Sequence, residues 1–191
     1  VKDAGFLGCQ SVTPTGLSPY ECSGYRLPTD AEWEYAIRAG TTTAFYSGGI
    51  TPYSQQSLCM NDDNLLKIAW YCANSGSFTH PVGQKQPNAL GIFDMAGNAY
   101  ELVSDPFNGR YDRSRVDPWA PFLSTANIEV RGGAAHLWAS LARSADRNYG
   151  PGPAYLGAFA LGFRLARTIV GNWSAPTSLP VPGPARDSGA D

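Results

Sequence analysis

Residues 24–36, Gly-Tyr-Arg-Leu-Pro-Thr-Asp-Ala-Glu-Trp-Glu-Tyr-Ala, carry a complete set of helix-start signals. Pro28 precedes Thr29, and Thr29 stands three residues before Glu32, the spacing of a capping box. Trp33, Ala36, Ile37 and Gly40 then recur at i, i+3, i+4 and i+7, one face of a 3.6-residue period. The pattern predicts a helix over 30–39, with Gly40 placed to end it in a left-handed conformation.

The remainder of the chain is not helical in character. Its 191 residues include 21 Gly and 15 Pro, and 12% are aromatic. That mixture suits short strands, long irregular connections and rings filling the gaps, an α+β, loop-rich domain. Ile128–Arg131 alternates like a strand. Glu101–Ser104, Ala142–Asn148 and Phe163–Arg167 read as further strands, and Gly91-Ile-Phe as a strand start. Residues 64–71 read as a helical turn feeding a buried Trp70. The length fits one domain over 1–170. Residues 171–191 form a Pro/Gly/Ser-rich tail with little to bury. The formal net charge is −2, and Lys and Arg do not cluster, so nucleic acid is not an expected partner. No apolar run approaches the roughly 20 residues of a membrane helix.

The four cysteines fall into two local pairs, Cys9 with Cys22 and Cys59 with Cys72. The spacings do not suit zinc. Two local disulfides fit, each contributing on the order of 3 kcal/mol in the chain-entropy model. They imply a periplasmic, cell-surface or secreted location. Four buried thiols in a cytosolic protein are the alternative, and four cysteines allow three connectivities.

The helix string resembles the signature of the formylglycine-generating enzyme, or sulfatase-modifying factor, family. Three later segments resemble it in the same order. They are 87–101 (Pro-Asn-Ala-Leu-Gly-Ile-Phe-Asp-Met-Ala-Gly-Asn-Ala-Tyr-Glu), 130–133 (Val-Arg-Gly-Gly) and 143–147 (Arg-Ser-Ala-Asp-Arg), closed by Gly-Phe-Arg at 162–164. The resemblance implies the family's C-type-lectin-like fold. Family members also carry a strand-rich N-terminal segment that is largely missing here. The chain is therefore expected to be a fragment, or a cleavage product that holds the earlier piece as a second chain.

Asp94 and Glu101 lie seven residues apart across a Gly-containing turn. Calcium takes six to eight hard oxygens and mixes carboxylates with carbonyls. On the residues alone, a solvated turn with two unrelated carboxylates competes with this reading. The resemblance implies a structural calcium ion, held by the Asp94 side chain, the Gly97 and Ala99 carbonyls and the Glu101 side chain. A second family calcium site would begin at Asn74. The segment to Val82 is short and has no Asp or Glu. That site is expected to be absent or altered, with a Cys59–Cys72 crosslink in its place.

The resemblance also implies what is missing. The family enzyme oxidises a sulfatase cysteine to formylglycine, using a copper-binding cysteine pair shortly after the Gly-Gly. Here those positions are Leu137 and Ala142, the family's active-site serine is Ala134, and its Trp is Tyr100. Hydrocarbon side chains cannot donate to Cu(I), so neither copper nor formylglycine formation is expected. His80 and His136 are the only histidines, and His136 reads as a surface or pocket residue. Tyr100, His136, Trp138, Tyr149, Tyr155 and Phe159 are candidate ligand contacts on the 134–160 loops, since Tyr and Trp offer large amphipathic area. Packing of these rings onto the core is the alternative. Arg131, Arg143, Arg147 and Arg164 are expected as buried ion-pair partners.

The expected function is an extracytoplasmic, calcium-stabilised binding or assembly module, with a protein or small-molecule ligand at the 134–160 loops. The alternatives are a metal-dependent oxidoreductase with a divergent active site and a structural component of a larger assembly.

Overall fold

A computed structural model describes residues 19–21, 24–52, 59–107, 127–150 and 160–168. Helix α1 spans Asp30–Arg38. Both halves of the capping box form: the Thr29 hydroxyl accepts from Glu32 N–H at 3.2 Å, and Glu32 Oε2 accepts from Thr29 N–H at 2.9 Å. Asp30 and Glu32 lie in the first turn and Arg38 in the last, the polarity the helix dipole favours. Trp33 and Ile37 are buried. The stop differs by one residue from the sequence expectation. Ala39 (φ 45°) takes the left-handed cap and donates to the Tyr35 carbonyl, and Gly40 (φ 90°) continues the turn.

A second short helix, α2, spans Leu65–Ile68. Asp62 organises its start, accepting from the Asn64 and Leu65 amides at 3.0 Å each. The expected buried Trp70 is half-buried. Tyr71 is the fully enclosed ring, and its hydroxyl accepts from Asp62 N–H and donates to the Met60 carbonyl.

The strands are β1 (Tyr25–Arg26), β2 (Tyr100–Pro106), β3 (Ile128–Arg131), β4 (Asn148–Gly150), β5 (Leu161–Phe163) and β6 (Ala166–Arg167). Four form a mixed sheet in the order β4-β3-β2-β5, with β5 parallel to β2 and the other pairs antiparallel. β1 and β6 make a separate antiparallel pair. Glu101 opposes Arg131, and Glu129 opposes Tyr149.

Two expected strands are absent. At 91–93 the Asn88 side chain intervenes: its Oδ1 accepts from Leu90 and Ile92 N–H, and its Nδ2 donates to the Ala36 carbonyl at the end of α1. Backbone groups bound to a side chain cannot join a ladder. In place of a strand over 142–148, a 3-10 turn occupies Ala139–Ala142, and pairing begins at Asn148. The core gathers Trp33, Ile37, Phe45, Leu65, Ile68 and Tyr71 with Met95, Val103, Ala139 and Ala142. The α1 start is tied to the sheet through Asp30 N–H, which donates to Asp105 Oδ2 on β2 at 2.8 Å.

Candidate functional site

The 94–101 turn is built from positive φ angles, at Asp94 (56°), Gly97 (71°) and Asn98 (61°). Gly97 is required. A Cβ there would stand 2.2 Å from the Trp70 carbonyl oxygen, closer than any real contact. Gly97 N–H donates to Gly132 O, Asn98 N–H donates to Trp70 O, and Asn98 O accepts from Ala135 N–H. The Asn98 side chain clamps His80, accepting from its N–H and donating to its carbonyl. The His80 ring in turn stacks on Trp70, centroids 3.8 Å apart, and Lys85 Nζ lies 3.9 Å from the Trp70 ring centre. The sequence signal for the clamp was the Gly97-Asn98 pair, whose types favour left-handed turns. Nothing local announced the stack.

Glu101, buried at 8% exposure, is the most heavily bonded side chain of the turn. Its Oε2 accepts from Trp33 Nε1 (2.7 Å) and Arg164 Nε (2.5 Å), and its Oε1 accepts from Arg164 Nη2 (2.5 Å). Arg164 also reaches the Phe93 and Asp94 carbonyls at 3.3 Å each. Asp94 Oδ2 accepts from Gly83 N–H. Asp94, Ala99, Glu101 and Arg164 line one cavity of about 360 Å³, with Val82 and Phe163 at its exposed rim.

These residues can be tested against the expected ion. Among the described residues, the Gly97 and Ala99 carbonyls accept no hydrogen bond. Asp94 and Glu101 line the same cavity as Ala99. This is a hard-oxygen set of the kind calcium takes, with water needed to complete six to eight ligands. Glu101 already accepts from Trp33 Nε1 and twice from Arg164, so an ion here would share this carboxylate with the guanidinium. The set does not fit a soft or redox metal. Among the described residues no three His, Cys, Asp or Glu side chains converge. Asn74 is committed elsewhere: its Oδ1 accepts from Tyr71 N–H and its Nδ2 donates to the Ala69 carbonyl, closing the turn after Cys72.

The 134–142 segment follows directly. Gly133 (φ 75°) lets the chain pass Leu141, whose carbonyl oxygen would sit 2.9 Å from a Cβ. Ala134 and Ala142 are buried, Ala142 within the hydrophobic core. Leu137 is half-buried and its carbonyl accepts from Cys72 N–H. The Ser75 hydroxyl donates to the Ala135 carbonyl at 2.5 Å. Cys59 and Cys72 form a disulfide, so the crosslink lies directly behind this segment. The expected Cys9–Cys22 pair lies outside the described residues.

Of the six aromatic candidates, His136 is exposed and Trp138 half-buried, two residues apart on one turn. Tyr149 is 50% exposed on β4, with its ring 4.9 Å from Phe107. Tyr100 is half-buried and its hydroxyl accepts from Asn148 Nδ2. Burial pushes that hydroxyl up to about 12, although the Asn148 bond works the other way. Tyr155 and Phe159 lie outside the described residues. The arginines divide. Arg131, Arg147 and Arg164 are ion-paired and largely buried, whereas Arg143, paired with Asp146, is exposed.

A family model, the sulfatase-modifying factor enzyme 1-like domain, matches residues 6–169. The chain belongs to this family. It is 34% identical over 119 residues to the formylglycine-generating enzyme of Mycobacterium tuberculosis, covering 60% of this chain and 38% of that one. It is 36% identical over 133 residues to the chaperone protein LppX of Paenibacillus barcinonensis, covering 58% and 44% respectively. The chain thus spans less than half the length of these relatives. Among solved structures, Treponema denticola variable protein 1 is 33% identical with a TM-score of 0.61, over 77% of this chain and 49% of that one. PvdO from Pseudomonas aeruginosa is 30% identical with a TM-score of 0.58, over 77% and 54%. The α+β architecture is therefore the family's C-type-lectin-like fold. Among the described residues, no helix is long and apolar enough to cross a membrane.

Proposed function

We propose that this domain is an extracytoplasmic binding or assembly module on the sulfatase-modifying factor scaffold, held by calcium and without formylglycine-forming chemistry. The observation that carries this reading is the 134–142 segment. The positions resembling the family's cysteine pair are Leu137 and Ala142, and Ala142 is packed into the core. No cysteine follows Cys72 in the chain. A thiolate pair is what Cu(I) and oxygen chemistry require of this surface.

Calcium would be held by Asp94, Glu101 and the Gly97 and Ala99 carbonyls, and would supply a fixed charge that locks the turn. Gly97 N–H bonds Gly132 O, and Asn98 O accepts from Ala135 N–H. An ordered turn therefore orders the segment bearing His136 and Trp138. The ligand face comprises these two residues with Tyr149, and takes a protein or small-molecule ligand. The Cys59–Cys72 disulfide supports an oxidising compartment.

The direct test is incubation of the protein with copper, oxygen and a sulfatase peptide containing the target cysteine, read by mass spectrometry. No aldehyde product is expected. Turnover to formylglycine would overturn the reading.

A further inference from the structure

Arg164, the residue after β5, reaches both ends of the 94–101 turn. Its Nε and Nη2 donate to Glu101 Oε2 and Oε1 at 2.5 Å each, a bidentate pair. Nη2 also approaches the Phe93 and Asp94 carbonyls at 3.3 Å, the long end of the hydrogen-bond range. The guanidinium therefore ties the entry of the turn to the carboxylate that ends it. A calcium ion would bridge the same two places. The charged residues lining the cavity beside the turn are Asp94, Glu101 and Arg164, so two negative charges face one positive charge. Arg164 is paired with Glu101, whereas Asp94 accepts from the neutral Gly83 N–H. Glu101 also accepts from Trp33 Nε1, so three of the roughly four acceptor sites of its carboxylate are filled.

We propose that Arg164 is an internal cation that opposes calcium at this turn and sets its affinity. This builds on the calcium-held turn proposed above. With Arg164 seated on Glu101, the cavity offers a dication one net negative charge and a carboxylate that is largely occupied. With the guanidinium withdrawn, it offers two negative charges and a carboxylate bonded only to Trp33. The number of ligand charges is what tunes calcium affinity.

Three features let Arg164 yield without dismantling the site. Trp33 Nε1 holds Glu101 Oε2 at 2.7 Å from α1, so the carboxylate keeps its orientation when the guanidinium leaves. The backbone of the turn is fixed by bonds that do not involve Arg164: Gly97 N–H to Gly132 O, Asn98 N–H to Trp70 O, and Ala135 N–H to Asn98 O. The Arg164 side chain is partly exposed and borders the cavity, whose rim residues Val82 and Phe163 are open to solvent. A displaced guanidinium therefore has water to move into, and its long aliphatic stem can stay against the apolar rim.

The test is calorimetric titration of the whole chain with calcium, comparing wild type, Arg164→Gln and Arg164→Lys. Arg164→Gln removes the charge and should bind calcium roughly tenfold more tightly, the size of an ordinary coupling between two sites. Arg164→Lys keeps the charge and should lie closer to wild type. Coupling is reciprocal, so calcium should also loosen the guanidinium in the wild-type protein. In NMR the Arg164 Nε–H signal should shift during the titration and lose hydrogen-exchange protection. A purely supporting Arg164 predicts the reverse, weaker calcium binding in Arg164→Gln because Glu101 loses a partner. That result, or equal affinity in wild type and Arg164→Gln, would overturn the proposal and leave the calcium-held turn standing. Absence of calcium binding in both proteins would overturn the two together. If Arg164→Gln does not fold, the wild-type Nε–H titration decides: an unchanged signal at saturating calcium would overturn the proposal.

Discussion

Truncating Arg164 to alanine takes both of its donors from Glu101, leaving a carboxylate at 8% exposure bonded to Trp33 Nε1. A buried charge stripped of its counter-ion is costly. Because the Arg164 side chain keeps 25% exposure, the expected loss is about 2–4 kcal/mol, below the fully buried case. Urea denaturation of the variant measures it. On the proposed calcium reading, saturating calcium should restore part of the loss, because the ion would share Glu101. Gly97→Ala is a second single-residue probe. The positive φ and the Trp70 carbonyl at 2.2 Å together predict destabilisation of at least about 2 kcal/mol. Gly40→Ala offers a contrast. Its φ is also positive, but no atom lies within 4 Å of the added carbon, so the cost should be about 1 kcal/mol.

Helix α1 depends on its cap. Thr29→Ala should cost about 1 kcal/mol and Thr29→Ser should recover most of it, as measured by thermal unfolding. The cap also has a pH signature. Burial raises the Glu32 carboxyl, but the Arg26 guanidinium and the Thr29 N–H outweigh it and hold the group below its ordinary 4.5. For a lowered carboxyl, the stabilisation is present above 4.5 and disappears as pH falls through the folded-state value. Glu32→Gln should therefore flatten the acid limb of the stability profile.

The second element is the crosslinked segment behind the Leu137 turn. Reducing Cys59–Cys72, which closes a separation of 13 residues, should cost about 3 kcal/mol. Because Cys72 N–H bonds the Leu137 carbonyl, exchange protection at Cys72 should fall more than protection in β3. Equal loss in both places would contradict this coupling.

At the scale of the whole molecule, what could be read in advance was what lies close together in the chain. Thr29 and Glu32 are three residues apart, and their interaction is decided locally. Asp94, Gly97, Ala99 and Glu101 similarly form one turn. The Cys59–Cys72 pairing was legible for the same reason. The misread elements depend on distant partners. Asn88 removes a strand at 91–93 by reaching back to α1, and Tyr71 replaces Trp70 in the interior because Asp62 and Met60 receive its hydroxyl. The parallel pairing of β5 with β2 joins residues 161 and 100, which no local pattern announces. Arg131, Arg143 and Arg147 belong to the same family motifs. Only the packing of α1 on the sheet makes Arg131 and Arg147 interior and leaves Arg143 outside.

The central proposal is that a scaffold shared with formylglycine-generating enzymes here carries a calcium-held turn beside a segment without cysteine. Elemental analysis of the protein as isolated from its native source, without added metal, tests this most directly. The account predicts stoichiometric calcium that is lost in Asp94→Ala, with copper and iron at background. Stoichiometric copper or iron, retained in Asp94→Ala, would contradict it.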